Sequence, residues 1–85
     1  MGKSQQTPEQ IINALNAAMA ESDALDGDCR ECRVRHIGPV TDEEAQYLGR
    51  NWNAIMFNGE CTGDCMAVLE QTAKVLGNKF DAVWP

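Results

Sequence analysis

Histidine is almost missing from this chain: His36 is the only one in 85 residues. One histidine cannot supply the ligand sets of metal hydrolases, and no Ser-His-Asp set assembles around it. Basic residues are also few. Seven Lys and Arg stand against 13 Asp and Glu, for a net charge of −6. The mean field of so acidic a protein repels phosphate, which disfavours nucleic acid as a partner of the whole molecule. No apolar run approaches the roughly 20 residues of a membrane helix. The polar start, residues 1–7, lacks the apolar segment of a secretory signal, so a cytoplasmic setting is expected. Aromatics make up only 6% of the chain, and Tyr47, Trp52, Phe57, Phe80 and Trp84 are assigned to the core and not to a base-stacking platform. Repeats, linkers and low-complexity stretches are absent as well.

What the chain does have is four cysteines in two pairs: Cys29-Arg30-Glu31-Cys32 and Cys61-Thr62-Gly63-Asp64-Cys65. A single domain over 1–85 buries a small share of its surface, so its core is marginal without a staple. Thiols in the cytoplasm are mostly reduced, and paired cysteines there bind metal or do redox work more often than they form structural disulfides. A redox role for Cys29 and Cys32 is disfavoured. The expected element after them is a strand and not a helix, and Asp26, Asp28 and Glu31 raise a thiol pKa.

The order of elements follows from local signals. Residues 1–6 read as a disordered start. Thr7, Pro8 and Gln10 make a helix start with a capping box. Ile11, Ile12, Leu15, Ala18 and Met19 then recur at helical spacing, which predicts a helix over about 8–22. From Cys32 the period becomes two. Cys32, Val34 and His36 alternate with Arg33, Arg35 and Ile37 in a strand closed by Gly38-Pro39. Thr41 to Glu44 is a second capping box and opens a helix of about two turns, ended by Gly49. Residues 51–57 read as a second strand, since Asn51 and Asn53 are poor helix formers and Trp, Ile and Phe favour strands. A last helix begins near Thr62 or Gly63, with Cys65, Val68, Leu69, Thr72 and Leu76 as its inner stripe and Gly77-Asn78 as its cap. Phe80 to Trp84 forms an apolar tail that folds back. The predicted class is α+β, a small antiparallel two-stranded sheet flanked by two main helices, in the order α-β-(short α)-β-α.

If the strands pair with Cys32 opposite Cys61, then Ile37 faces Met56 and His36 faces Phe57. The cysteine pairs then converge at the open end of the hairpin. Four converging sulfurs suit tetrahedral zinc, with Cys29, Cys32, Cys61 and Cys65 as ligands. Zinc is the leading reading; two disulfides and unligated buried thiols remain open beside it. His36 lies about 13 Å along the strand from Cys32, too far to share the metal. Arg30, Arg33 and Arg35, with Arg50 on a loop, are candidates for an anion-binding face, though the neighbouring carboxylates are the simpler partners.

The chain also resembles a group of small, uncharacterised proteins of proteobacteria and their phages. The residues that carry the likeness are Cys29-x-x-Cys32 followed by a strand, Asn51-Trp52, Cys61 and Cys65, and the ending from Lys79 to Trp84. The likeness implies a bacterial or phage origin and a strand at 51–57, with no activity and no functional residue attached. No acid, base and nucleophile set is visible, so no catalytic residue is assigned. The expected function is a non-enzymatic interaction module for a protein partner. The alternative is a zinc-stabilised nucleic-acid binder using the arginine-rich strand. A homodimer is also expected, because a two-stranded sheet is marginal alone and the second strand is apolar on both faces.

Overall fold

Seven elements alternate along the chain in a computed structural model, which describes residues 3–23, 27, 29–59, 61 and 63–84. They are β1 Ser4–Gln6, α1 Pro8–Ala20, β2 Arg33–Pro39, α2 Asp42–Leu48, β3 Trp52–Asn58, α3 Gly63–Gly77 and β4 Phe80–Ala82. The class is α+β, and the expected series from α1 to α3 is present. Among the described residues the sheets number two and not one. β2 and β3 pair antiparallel, but β1 and β4 form a second, parallel two-stranded sheet. Residues 4–6, expected to be disordered, are therefore ordered as β1, and the tail folds back by pairing with them. α1 ends at Ala20, two residues short of the expected end, and Thr62 lies outside the described residues.

The expected capping box forms in full at Thr7 and by half at Thr41. The Thr7 hydroxyl accepts from the Gln10 N–H at 3.2 Å, and the Thr7 N–H donates to the Gln10 side-chain carbonyl at 2.9 Å. Thr41 accepts from the Glu44 N–H at 3.1 Å, and Gly49 closes α2. α1 buries Ile11, Leu15 and Met19 completely, each contributing about 1.5–3 kcal/mol of hydrophobic stabilisation. The buried row of α3 is Cys65, Leu69, Ala73 and Gly77. It is turned from the expected stripe, because Val68, Thr72 and Leu76 are only half-buried. Gly77 explains the turn. It is a seat for Arg50 and not a left-handed cap: a Cβ there would lie 2.5 Å from Arg50 Cδ.

The hairpin departs from the expected register by two residues. Val34 faces Phe57 and Ile37 faces Ala54, and the pairing shifts on either side of His36–Met56. An extra residue on β2, Arg35, is thus offset by one on β3, Ile55. A bulge of one residue reverses which face later side chains occupy. Val34 and Ile37 consequently both point inward, with Trp52, Ala54 and Phe57 opposite them on the covered side. Arg35, His36, Ile55 and Met56 are turned outward. Strict alternation had put His36 with Val34, and Met56 with Trp52.

Asparagines close two strand edges. The Asn16 amide on α1 donates to the Val34 carbonyl at 3.0 Å and accepts from the Val34 N–H at 2.7 Å. Asn51 does the same for Ala82, at 2.9 and 2.7 Å. Each side chain imitates a neighbouring strand and satisfies backbone groups that are costly to leave unpaired.

Candidate functional site

The four cysteines do converge, and they converge as two disulfides. Cys29 is joined to Cys65 with Cα atoms 5.3 Å apart, and Cys32 to Cys61 at 4.9 Å. The zinc expectation is thereby overturned: a sulfur bonded to sulfur is not the thiolate that zinc requires. Among the described residues no other group of His, Cys, Asp and Glu could hold a metal ion. Cys32 does bond to Cys61 although the register that suggested it is wrong. The reason is Gly59, whose φ of 85° begins a turn in which the Cys61 N–H donates to the Gly59 carbonyl. Gly59 passes so close to the turn before β2 that a Cβ would lie 2.2 Å from the Glu31 carbonyl oxygen. The turn takes up the two-residue slip and returns Cys61 to Cys32. Cys29, Cys32 and Cys65 are buried, and Cys61 is half-buried.

The arginines near this end have local employment. Arg30 donates to the Ser22 carbonyl at 2.9 Å and pairs with the Asp23 carboxylate at 2.7 Å. Arg33 donates to the carbonyls of Arg30 and Cys32. Arg35 is exposed at the bulge, and its side chain belongs to the outer face.

Arg50, the loop arginine, is the unusual one. It is 4% exposed and is the buried charged residue of the described chain. Its Nε donates to the Trp52 carbonyl at 3.0 Å and its terminal nitrogen to Asn53 Oδ1 at 3.1 Å. The guanidinium carbon lies 5.1 Å from the centre of the Trp52 ring, and the stem rests on Gly77. Trp52 is itself fully buried, with Nε1 donating to the Phe80 carbonyl at 3.1 Å. Among the described residues Arg50 makes no ion pair. Burial pushes its pKa down, and the Glu70 charge pulls it back up.

A groove opens over this guanidinium. α3 stands off β3, and a hollow of about 210 Å³ lies between them, walled by Ala54, Phe57, Met66 and Leu69 and bordered by Arg50, Asn53 and Glu70. A second hollow of about 340 Å³ adjoins it beyond Arg50, between Tyr47 on α2 and Glu70, Gln71 and Lys74 on α3. Leu48 is a shared lip of both. The lip is lightly anchored, because α2 buries none of its residues and Tyr47 is 89% exposed. Sequence reading had Arg50 only as one cation among four. Burial beside Trp52 is a tertiary fact, and the local string Gly49-Arg50-Asn51 carries no signal of it.

On the opposite side of the hairpin, Ile55 and Met56 are 58% and 51% exposed and lie beside Arg35 and His36. Among the described residues no helix is long and apolar enough to cross a membrane. No family model, curated protein or solved structure matches this chain.

Proposed function

We propose that the protein is a non-enzymatic interaction module, braced by two cystines, that docks a partner protein in the groove between β3 and α3. The observation that carries this reading is the groove itself: an apolar trough bordered by one buried cation, with a lip, α2, that buries nothing. Apolar walls with a few placed polar groups, here Arg50, Asn53 and Glu70, are the usual make-up of a binding site. The nucleic-acid alternative draws less support, since Arg30 and Arg33 are engaged by nearby oxygens. Two cystines in a small domain favour an oxidising compartment over the cytoplasmic one expected from the sequence.

An array of end-capped, randomised octapeptides, read with the purified oxidised protein, tests the reading. Binders should shift the amide resonances of Leu48, Ala54, Phe57 and Glu70. Leu48→Asp should abolish binding while leaving the melting temperature almost unchanged, because Leu48 is not part of the buried core. Binding that shifts His36 and Met56 instead, or no binding at all, overturns the groove as the docking site.

Self-association on the outer face is a second part of the proposal. Its support is the exposed Ile55 and Met56 pair, which neither α2 nor the tail covers: α2 is unburied, and β4 pairs with β1. The β2 edge is sealed at Val34 by Asn16, so the two copies would meet face to face and not along β2. Sedimentation over micromolar to millimolar concentrations should show mass above 9.3 kDa, and Met56→Lys should return it to the monomer. A single 9.3 kDa species throughout removes this part.

A further inference from the structure

Resting on the docking reading above, we infer that the groove recognises an acidic side chain of its partner, an aspartate or glutamate whose carboxylate sits on Arg50 while a neighbouring apolar side chain of the same segment fills the hollow between Phe57, Met66 and Leu69.

A guanidinium out of water is expensive unless an anion and hydrogen bonds compensate it. Arg50 has two hydrogen bonds and the face of Trp52, but no ion pair among the described residues. Glu70 influences it at longer range, from an exposed position on the groove wall. The guanidinium has five N–H donors, and its bonds to Trp52 and Asn53 leave donors over. Burial lowers its pKa, and a bound carboxylate would oppose that shift.

Arg50 borders both hollows, so a ligand lying along the groove passes the cation whichever way it runs. On one side the trough is apolar; on the other Lys74 adds a second positive charge at the wall. The protein is acidic overall, and Glu70 lines both hollows, so the attraction for an anionic segment rests on Arg50 and Lys74 at close range.

A chain-terminal carboxylate is the weaker occupant. Termini are usually held by several converging backbone N–H groups. The backbone facing the groove offers few of them. The α3 amides are used within the helix, and the Ala54 N–H is already bonded to Asn53 Oδ1 at 3.0 Å.

The test uses peptides that bind in the groove by amide shifts. They should carry an aspartate or glutamate together with a bulky apolar residue. Replacing that acid by its amide should weaken binding about tenfold or more, the usual loss for a hydrogen-bonded charge. Arg50→Gln should abolish the difference between acid and amide. Because Arg50 also braces Trp52, Glu70→Gln is the second variant; it removes a rival negative charge from an exposed position and should tighten acidic peptides by about two- to fivefold. Groove binders that show no preference for acid over amide overturn this inference and leave the docking reading intact. Binding by uncapped peptides alone, through their terminal carboxylate, also overturns it. An array with no groove binder removes the docking reading, and this inference with it.

Discussion

The two cystines are nested, and nesting determines what each contributes. Cys29–Cys65 taken alone closes a loop of 36 residues, and Cys32–Cys61 alone one of 29. In the chain-entropy account either loop is worth about 4 kcal/mol. Once one bond exists, the other closes only the ring made of residues 29–32 and 61–65. That ring of about nine residues is worth about 2.5 kcal/mol. Cys29→Ala with Cys65→Ala, or Cys32→Ala with Cys61→Ala, should therefore each cost about 2.5 kcal/mol from the ring. Removing buried sulfur adds about 1 kcal/mol. Loss of all four cysteines should cost about 8–9 kcal/mol, more than the two paired losses together. A chain of this length is typically stable by about 4–13 kcal/mol, so each paired variant should stay folded and the fourfold variant should be at or past its limit. Urea unfolding followed by the fluorescence of Trp52, fully buried in the native state, measures all three. Paired losses of about 5 kcal/mol that sum to the fourfold loss would refute the nesting. Equal stability of the oxidised and reduced wild type would refute the cystines themselves.

Gly77→Ala sets two effects against each other. Alanine favours the helix by up to about 1 kcal/mol, but its Cβ would meet the buried Arg50 stem, with Cδ at 2.5 Å and Cβ at 3.0 Å. Overpacking of that kind costs about 1–3 kcal/mol, so the variant should melt lower by calorimetry; a higher melting point would show that Arg50 can move away freely. Asn51→Ala strips Ala82 of both partners and should cost about 1–3 kcal/mol, with faster amide exchange at Ala82 as its signature. Chelators should leave the melting temperature of the oxidised protein unchanged, and a drop on chelation would return metal to the cysteines.

The sequence reveals elements whose signals are local. Thr7-Pro8-x-Gln10 and Thr41-x-x-Glu44 are complete within four residues, and both helices start where those strings place them. The strand at 52–58 was legible because asparagine and aromatic residues disfavour a helix. The pairing β1–β4 was not: it joins residues nearly a chain length apart, and Ser4 to Gln6 has no apolar pattern. The faces of the hairpin were misread for a related reason. Alternation assumes one residue per step, and the bulges at Arg35 and Ile55 are set by how two strands meet. Each bulge cancels the other in register, so they leave no net trace in the index sum; they are visible only as a swap of His36 with Ile37 and of Met56 with Phe57.

That swap connects the fold to both proposed surfaces. With the bulges in place, Phe57 turns inward to wall the groove while Ile55 and Met56 turn outward. Without them, Met56 would face α3 and Phe57 would stand in solvent. The cystines hold one end of the hairpin against the start of α3. At the other end α3 terminates on a glycine, because Arg50 occupies the space where a side chain would be. One guanidinium thus takes the place of apolar packing between Trp52 and the end of α3. A hydrocarbon side chain there could close α3 onto β3 at no electrostatic cost. A cation there carries a desolvation penalty that its hydrogen bonds, the Trp52 face and the Glu70 charge offset in part, and that an anion entering from the groove would offset further. On the proposed reading, the arrangement costs stability in the free protein and would return it on binding, as expected of a site and not of a core.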